Sequence, residues 1–253
     1  MDSISMLRRL SGMIEMKVEL VACTNVLDED GLGFGGAEHV CNMAAKTCVS
    51  EEIPRTYYFE DTYFIWEVED LRSLKHAISS GHESVAEHAV FTFAVSGVSR
   101  ALTHQLVRHR MASYSQQSQR YVKMDGFEYV TPENIDKSSD DVFNEYLSLM
   151  DAIDKTYQSF IERGIPEEDA RYILPNACTT NLVVTMNARE LIHFCGLRRC
   201  TRAQWEIREL ADEMAKLVIE VAPILGSYMV PKCQRTGICT EKKSCGKIKE
   251  VRE

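Results

Sequence analysis

The hydrophobic period changes along this chain, and that change limits the folds open to it. Residues 16–24 (MKVELVACT) and 90–98 (VFTFAVSGV) alternate apolar with other positions and are rich in β-branched and aromatic residues, so they predict strands. Residues 141–163 instead place Val142, Phe143, Tyr146, Leu147, Met150, Ile153, Tyr157 and Phe160 at helical spacing. Helices are further predicted over 37–48, over 68–80 with a stop at Gly81, over 99–112, over 166–173 beginning at Pro166, over 187–198, and over 203–227 as one long helix reaching Gly226. The glycine-rich stretch 28–36 (DEDGLGFGG) reads as a flexible connection, since it lacks both the dinucleotide fingerprint and the Gly-Lys-Ser/Thr of a phosphate loop. A few strands early and many helices late make an α+β chain.

With 253 residues, one domain or a domain with a large appendage is the expected size. We place a single domain over 1–230 and a Cys- and Lys-rich tail over 231–253. The formal net charge of −9 argues against a nucleic-acid partner. No apolar run reaches membrane length, and the N-terminal stretch lacks the apolar core and small-residue cleavage site of a signal peptide. Nine cysteines, an odd number without a disulfide framework, suit a reducing cytoplasm. In the tail, Cys233, Cys239 and Cys245 are six apart, wider than the Cys-x-x-Cys pairs that zinc favours, so no metal is expected.

Against that acidic background, RHRMASYSQQSQRYV (108–122) is basic and rich in hydroxyls. On a helix Gln105 and Arg108 share a face and Arg110 points elsewhere, which fits two neighbouring anionic ligands or a solvated, salt-bridged helix end. If 118–120 is extended, Ser118 and Arg120 point to one side and form a phosphate pair. In SGHESVAEH (80–88) the histidines are six apart, so a His-Glu-x-x-His zinc helix is not supported. Ser84 and Glu87 there form either a pair on one face or a helix cap. Arg189 and His193 share a helical face, and Arg171, Arg189 and Arg198 need internal carboxylates or an anionic ligand if buried.

These residues carry a resemblance. Arg108-His109-Arg110, seven residues and Ser118 resemble the signature of the flavin-dependent thymidylate synthases, and GHESVAEHAVFTF, EEDARYILP, NARELIHFCGLR and AQWEIRELA resemble further blocks of that family in its order. The resemblance covers roughly 17–228. It implies that family's α+β fold, a small mixed or antiparallel sheet with a helix-rich C-terminal half. It also implies a homotetramer whose sites are shared between subunits and bind FAD and dUMP. Methylenetetrahydrofolate would donate the one-carbon unit and NADPH would reduce the flavin, giving dTMP and tetrahydrofolate. The implied FAD-binding residues are Ser84, Glu87, Arg108, His109, Arg110, Gln116, Asn187, Ala188, Arg189 and His193. The implied dUMP-binding residues are Gln105, Arg108, Gln116, Ser118, Arg120, Arg171 and Arg198, with Arg198 the catalytic cation that ionises uracil N3. Gln116 stands where some members have Glu, and Cys48 where some have a flavin-contacting Ser. No Pro-Cys-His, the nucleophile setting of ordinary thymidylate synthases, occurs. A flavin oxidoreductase without methyl transfer would lack the dUMP set, and an RNA-binding module would bind single strands through pairs such as Arg120-Tyr121.

Overall fold

A computed structural model describes residues 15–27, 33–52, 71–124, 126–248 and 250–251. The chain opens with β1 (Lys17–Cys23), β2 (Asn25–Leu27), β3 (Gly33–Gly36) and α1 (Ala37–Thr47). Next come α2 (Arg72–Ser79), a 3-10 turn (Glu83–His88), β4 (Val90–Ser99), α3 (Arg100–Leu106) and β5 (Ala112–Gln116). Then follow α4 (Glu133–Asp136), the long α5 (Asp140–Glu162), α6 (Glu167–Ala170) and a second 3-10 turn (Arg171–Ile173). The last stretch holds β6 (Thr179–Asn187), α7 (Ala188–Arg198), α8 (Trp205–Val221), α9 (Pro223–Ser227), α10 (Lys232–Thr236), β7 (Ile238–Cys239) and β8 (Glu250–Val251). An antiparallel four-stranded sheet has the order β1-β4-β6-β5, so the expected α+β class is what forms. Among the described residues no helix is long and apolar enough to cross a membrane.

Alternation makes β4 a one-sided strand: Phe91, Phe93 and Val95 are buried with less buried residues between them. The inward period then slips to Val98, and Gly97, at φ +71°, takes the backbone conformation that the slip requires.

Contacts group the chain into two compact units, divided within β1, β4, β5 and β6 and after Arg108. In the unit that holds 95–108 and 115–183, α5 packs on α4, α6 and the second 3-10 turn. Phe127, Met150 and Cys178 are buried there against Tyr129, Tyr146, Ile153 and Leu174. In the unit that holds 18–94, 109–114 and 184–253, α7 packs on the first 3-10 turn, α8, α9 and α10. Leu191, Ile192 and Phe194 of α7 and Ile207, Leu210 and Met214 of α8 are buried in its core. Within this unit the buried Asn42 accepts from the Leu74 amide at 3.0 Å, giving α2 one of its missing N-terminal partners.

Four readings need correction. The helix expected over 99–112 ends at Leu106, and β5 follows from Ala112. Arg108 and Arg110 therefore lie beyond its end, and the shared helical face of Gln105 and Arg108 does not form. Residues 118–120 are not extended: Ser118 Oγ accepts the Arg120 amide at 3.1 Å, and the Val122 amide donates to the Ser118 carbonyl at 3.1 Å, closing a turn. The long last helix breaks at Ala222, because Pro223 cannot donate to the helix before it and starts α9 at its first position. The buried Glu38 carboxylate accepts the Leu225 amide at 2.7 Å, satisfying one of the donors that this break exposes. In the glycine-rich stretch, 28–32 lie outside the described residues, but Gly33–Gly36 is a strand paired antiparallel with β2.

Candidate active site

Strand β6 runs straight into α7, and Asn187 makes the junction. Its Oδ1 accepts the Glu190 amide at 2.9 Å, capping the helix and fixing the direction in which its side chains project. Ala188 is tied to the start of β4 by its amide, which donates to the Ala89 carbonyl at 2.7 Å. From this base α7 presents Glu190, His193, Phe194 and Arg198 around His109.

His109 is only 4% exposed, while Arg108 and Arg110 on either side are exposed. Arg198 donates from Nε to His109 Nε2 at 3.1 Å. A guanidinium can only donate, so Nε2 is the acceptor and the ring proton sits on Nδ1, which donates to Glu190 Oε1 at 3.1 Å. The imidazole is thus neutral. Burial first, then the charges of Arg198 and His193, push its pKa from the ordinary 6.5 down to about 4. Burial raises the Glu190 pKa, partly offset by His193. The His109–Glu190 contact is a charge-assisted hydrogen bond, not an ion pair. Tyr114 Oη donates to the His109 carbonyl at 2.8 Å, and Phe194 meets the ring edge-on with centroids 4.9 Å apart. Ligand atoms of His109, Glu190 and His193 lie within 4.8 Å of one another. Both His109 nitrogens are already engaged, one by a cation, so a metal ion there would have to displace Arg198 or Glu190.

In the same unit Glu87 and Arg189 form an ion pair, both about half exposed. Glu83 pairs with Arg235 at 2.6 Å. Ser84 is exposed on the 3-10 turn, whose cap position is His82 and which has no side-chain cap, so the capping reading of Ser84 does not hold. His193 is exposed on α7.

The remaining predicted residues belong to the other unit. Gln116 donates through Nε2 to the buried hydroxyls of Thr103, at 3.2 Å, and Thr180, at 3.3 Å, so its amide ties α3, β5 and β6 together. Gln105 donates to the Ala101 carbonyl at 3.4 Å along α3. Arg120 and Arg171 converge on Glu168. Arg120 reaches its carboxylate through Nε at 3.0 Å and Nη2 at 2.9 Å, and Arg171 Nε donates to its carbonyl at 3.0 Å. Two guanidinium groups and the Ser118 hydroxyl form a donor set suited to a phosphate.

Sequence reasoning missed Glu190 and Glu168, the two carboxylates that hold predicted arginine and histidine residues in place. Glu190 was legible in principle, because Asn-x-x-Glu at 187–190 reads as a capping box at a helix start. Glu168 lies in the quoted EEDARYILP, but nothing local distinguishes it from Glu167 or Asp169. Tyr114 acts through its hydroxyl on the His109 carbonyl, and no sequence spacing encodes that.

Comparison with known proteins adds independent weight. Residues 33–224 match the family model described as thymidylate synthase complementing protein. A flavin-dependent thymidylate synthase of Geobacter sulfurreducens is 53% identical over 182 residues, covering 71% of this chain and 78% of that protein. One from Clostridium tetani is 45% identical over 237 residues, 85% of this chain and 91% of that protein. One from Pyrococcus horikoshii is 48% identical over 190 residues, 71% and 78% respectively. With the family model spanning most of the chain and relatives this similar over most of their length, the chain belongs to the flavin-dependent thymidylate synthase family.

Proposed function

We propose that the chain methylates dUMP to dTMP, taking the one-carbon unit from methylenetetrahydrofolate and releasing tetrahydrofolate. Bound FAD, reduced by NADPH, supplies the hydride. The relatives' names support this, and so does the donor chemistry. The exposed guanidinium groups of Arg108, Arg110 and Arg189 suit a cofactor carrying a diphosphate, and Ser84, Glu87, His109, Gln116, Asn187, Ala188 and His193 complete the FAD set. Gln105, Arg108, Gln116, Ser118, Arg120, Arg171 and Arg198 are the dUMP set, with Ser118, Arg120 and Arg171 on its phosphate.

The observation that carries the reading is Arg198 held by a neutral His109. A protonated imidazole would repel the guanidinium, whereas a neutral one accepts its Nε–H and fixes its plane. A fixed cation beside uracil N3–H lowers that group's pKa. The resulting ring charge makes carbon 5 nucleophilic. No enzyme thiol is then needed. Two buried thiols agree: burial pushes Cys178 up to about 11 and Cys195 up to about 12, where neither is a ready nucleophile.

In the same proposal the enzyme is a cytoplasmic homotetramer with active sites shared between subunits. Residues 1–230 work as one catalytic domain, with 231–253 a tail. The test is spectroscopic. Purified protein loaded with FAD should bleach when NADPH is added without oxygen, and dTMP should form once dUMP and methylenetetrahydrofolate are supplied. Protein that binds no flavin, or bleaches without ever forming dTMP, would overturn it.

A further inference from the structure

The three tail cysteines have a fourth neighbour that their spacing alone does not reveal. Cys200, just past the C-terminal end of α7, lines the same cavity of about 70 Å³ as Cys233, Cys239 and Cys245. The chain folds back to bring them there. Gly196 of α7 faces Lys232 of α10, and Gly237, at φ +74°, ends α10 so that β7 can follow.

We infer that Cys200, Cys233, Cys239 and Cys245 are the four thiolate ligands of an iron–sulfur cluster bound at the end of α7. The choice of cluster over a single zinc ion is geometric. Zinc sits about 2.3 Å from each sulfur and so draws four of them to roughly 3.8 Å of one another. Among the described residues, the group of three or more ligand atoms within 4.8 Å of one another is His109, Glu190 and His193, not these cysteines. No three of their sulfurs lie within 4.8 Å of one another, and the cavity that the four cysteines line has room for several water-sized groups, which a cluster of iron and sulfide fills and one ion does not.

The surroundings fit an anionic centre. Arg202, Lys232 and Lys243 line the cavity beside a single carboxylate, Glu241. The Lys247 amide and the Thr201 hydroxyl hydrogen-bond the Cys245 sulfur, the kind of contact that tunes cluster thiolates. Four neighbouring thiolates need bound cations to balance their charge. On assembly each thiol loses its proton to solvent, sulfide and ferric iron enter from outside the chain, and an external thiol reductant supplies the electrons for any ferrous sites. This inference does not depend on the proposed methyl transfer.

The experiment is anaerobic reconstitution of the full-length protein with ferric iron and sulfide under a thiol reductant, followed by removal of unbound metal. Iron and acid-labile sulfide should remain in equal amounts, about two or about four of each per chain. Cys245 is exposed, so Cys245→Ser leaves the core intact, and it should lose iron and sulfide to the level of untreated protein. Cys200→Ser should do the same, while Cys23→Ser, an exposed cysteine elsewhere, should keep both. A parallel sample offered zinc chloride alone serves as the competing arm. Stoichiometric zinc that iron and sulfide cannot replace would overturn the cluster. So would absence of bound metal in correctly folded protein, or retention of iron in both serine variants.

Discussion

Arg198 donates its Nε–H to His109 Nε2 at 3.1 Å, so a cation is anchored on a ring that must itself stay uncharged. This makes Arg198 more than a charge. Lysine keeps the charge but has no planar fork and no Nε to engage the imidazole. Arg198→Lys should therefore lower the rate of dTMP formation by about 10²–10³-fold, the range typical of losing one pre-organised electrostatic donor. Anaerobic reduction of the flavin by NADPH should continue at its usual rate. Full synthase turnover in this variant would remove Arg198 from the chemistry.

The neutral state of His109 also sets a pH dependence of stability. Its folded pKa is about 4 against an ordinary 6.5. Between those values the unfolded chain binds a proton at this ring that the folded chain refuses, so stability falls as the pH drops through the window and levels off below about 4. The full effect is at most about 3 kcal/mol. The raised pKa of Glu190 acts with the opposite sign, because its folded carboxyl takes up a proton earlier than an unfolded one. Comparing chemical denaturation of the native protein with His109→Gln across this range isolates the ring. The native protein should lose more stability on acidification, and parallel profiles would mean that the imidazole is not held neutral.

Arg120 belongs to a different energetic class. Its pair with Glu168 is about half exposed on both sides, so it adds no more than about 1 kcal/mol to stability. Its proposed value is for the phosphate of dUMP. Arg120→Ala should unfold within about 1 kcal/mol of the native protein and raise the KM for dUMP at least about tenfold, the loss of one charge-assisted hydrogen bond. Flavin reduction by NADPH in the absence of dUMP should not change. An unaltered KM would place the phosphate elsewhere.

How much of this was legible in the sequence follows from the range of each interaction. The strand at β4 and the helix α5 announced themselves through apolar periodicity, which is local. Strand β6 carries the same signal in TTNLVVTMN, β-branched and alternating, yet it lies in a stretch dominated by helical patterns and was not read as a strand. The helix expected over 99–112 failed because the local pattern carries no stop at Leu106, while β5 takes over six residues later at Ala112. The grouping of His109, Glu190 and Arg198 spans 81 and 89 residues of sequence separation, and no local pattern records contacts of that kind. The same holds for Cys200, 33 residues before Cys233, whose place among the tail thiols appears only once the chain is folded.

Gly226 shows how a correct residue can carry the wrong reason. Sequence reading took it as a helix stop, but it lies inside α9, and the helix before it ends at the Ala222–Pro223 junction. Its role is close approach. A Cβ built at Gly226 would come within 2.5 Å of Ile219 Cγ1 and 2.9 Å of Ile219 Cα, and the second of these is backbone that cannot swing away. Leu225 and Met229 on either side are fully buried, so α9 cannot simply lift off α8. Gly226→Ala should therefore cost about 1–3 kcal/mol through overpacking, despite alanine's better helix propensity. Ile219→Ala removes the Cγ1 contact but leaves the Cα one, so the double variant should recover part of the loss, not all of it. Urea denaturation of the two single variants and the double variant measures both effects. A Gly226→Ala protein as stable as the native one would show that α9 has room to move.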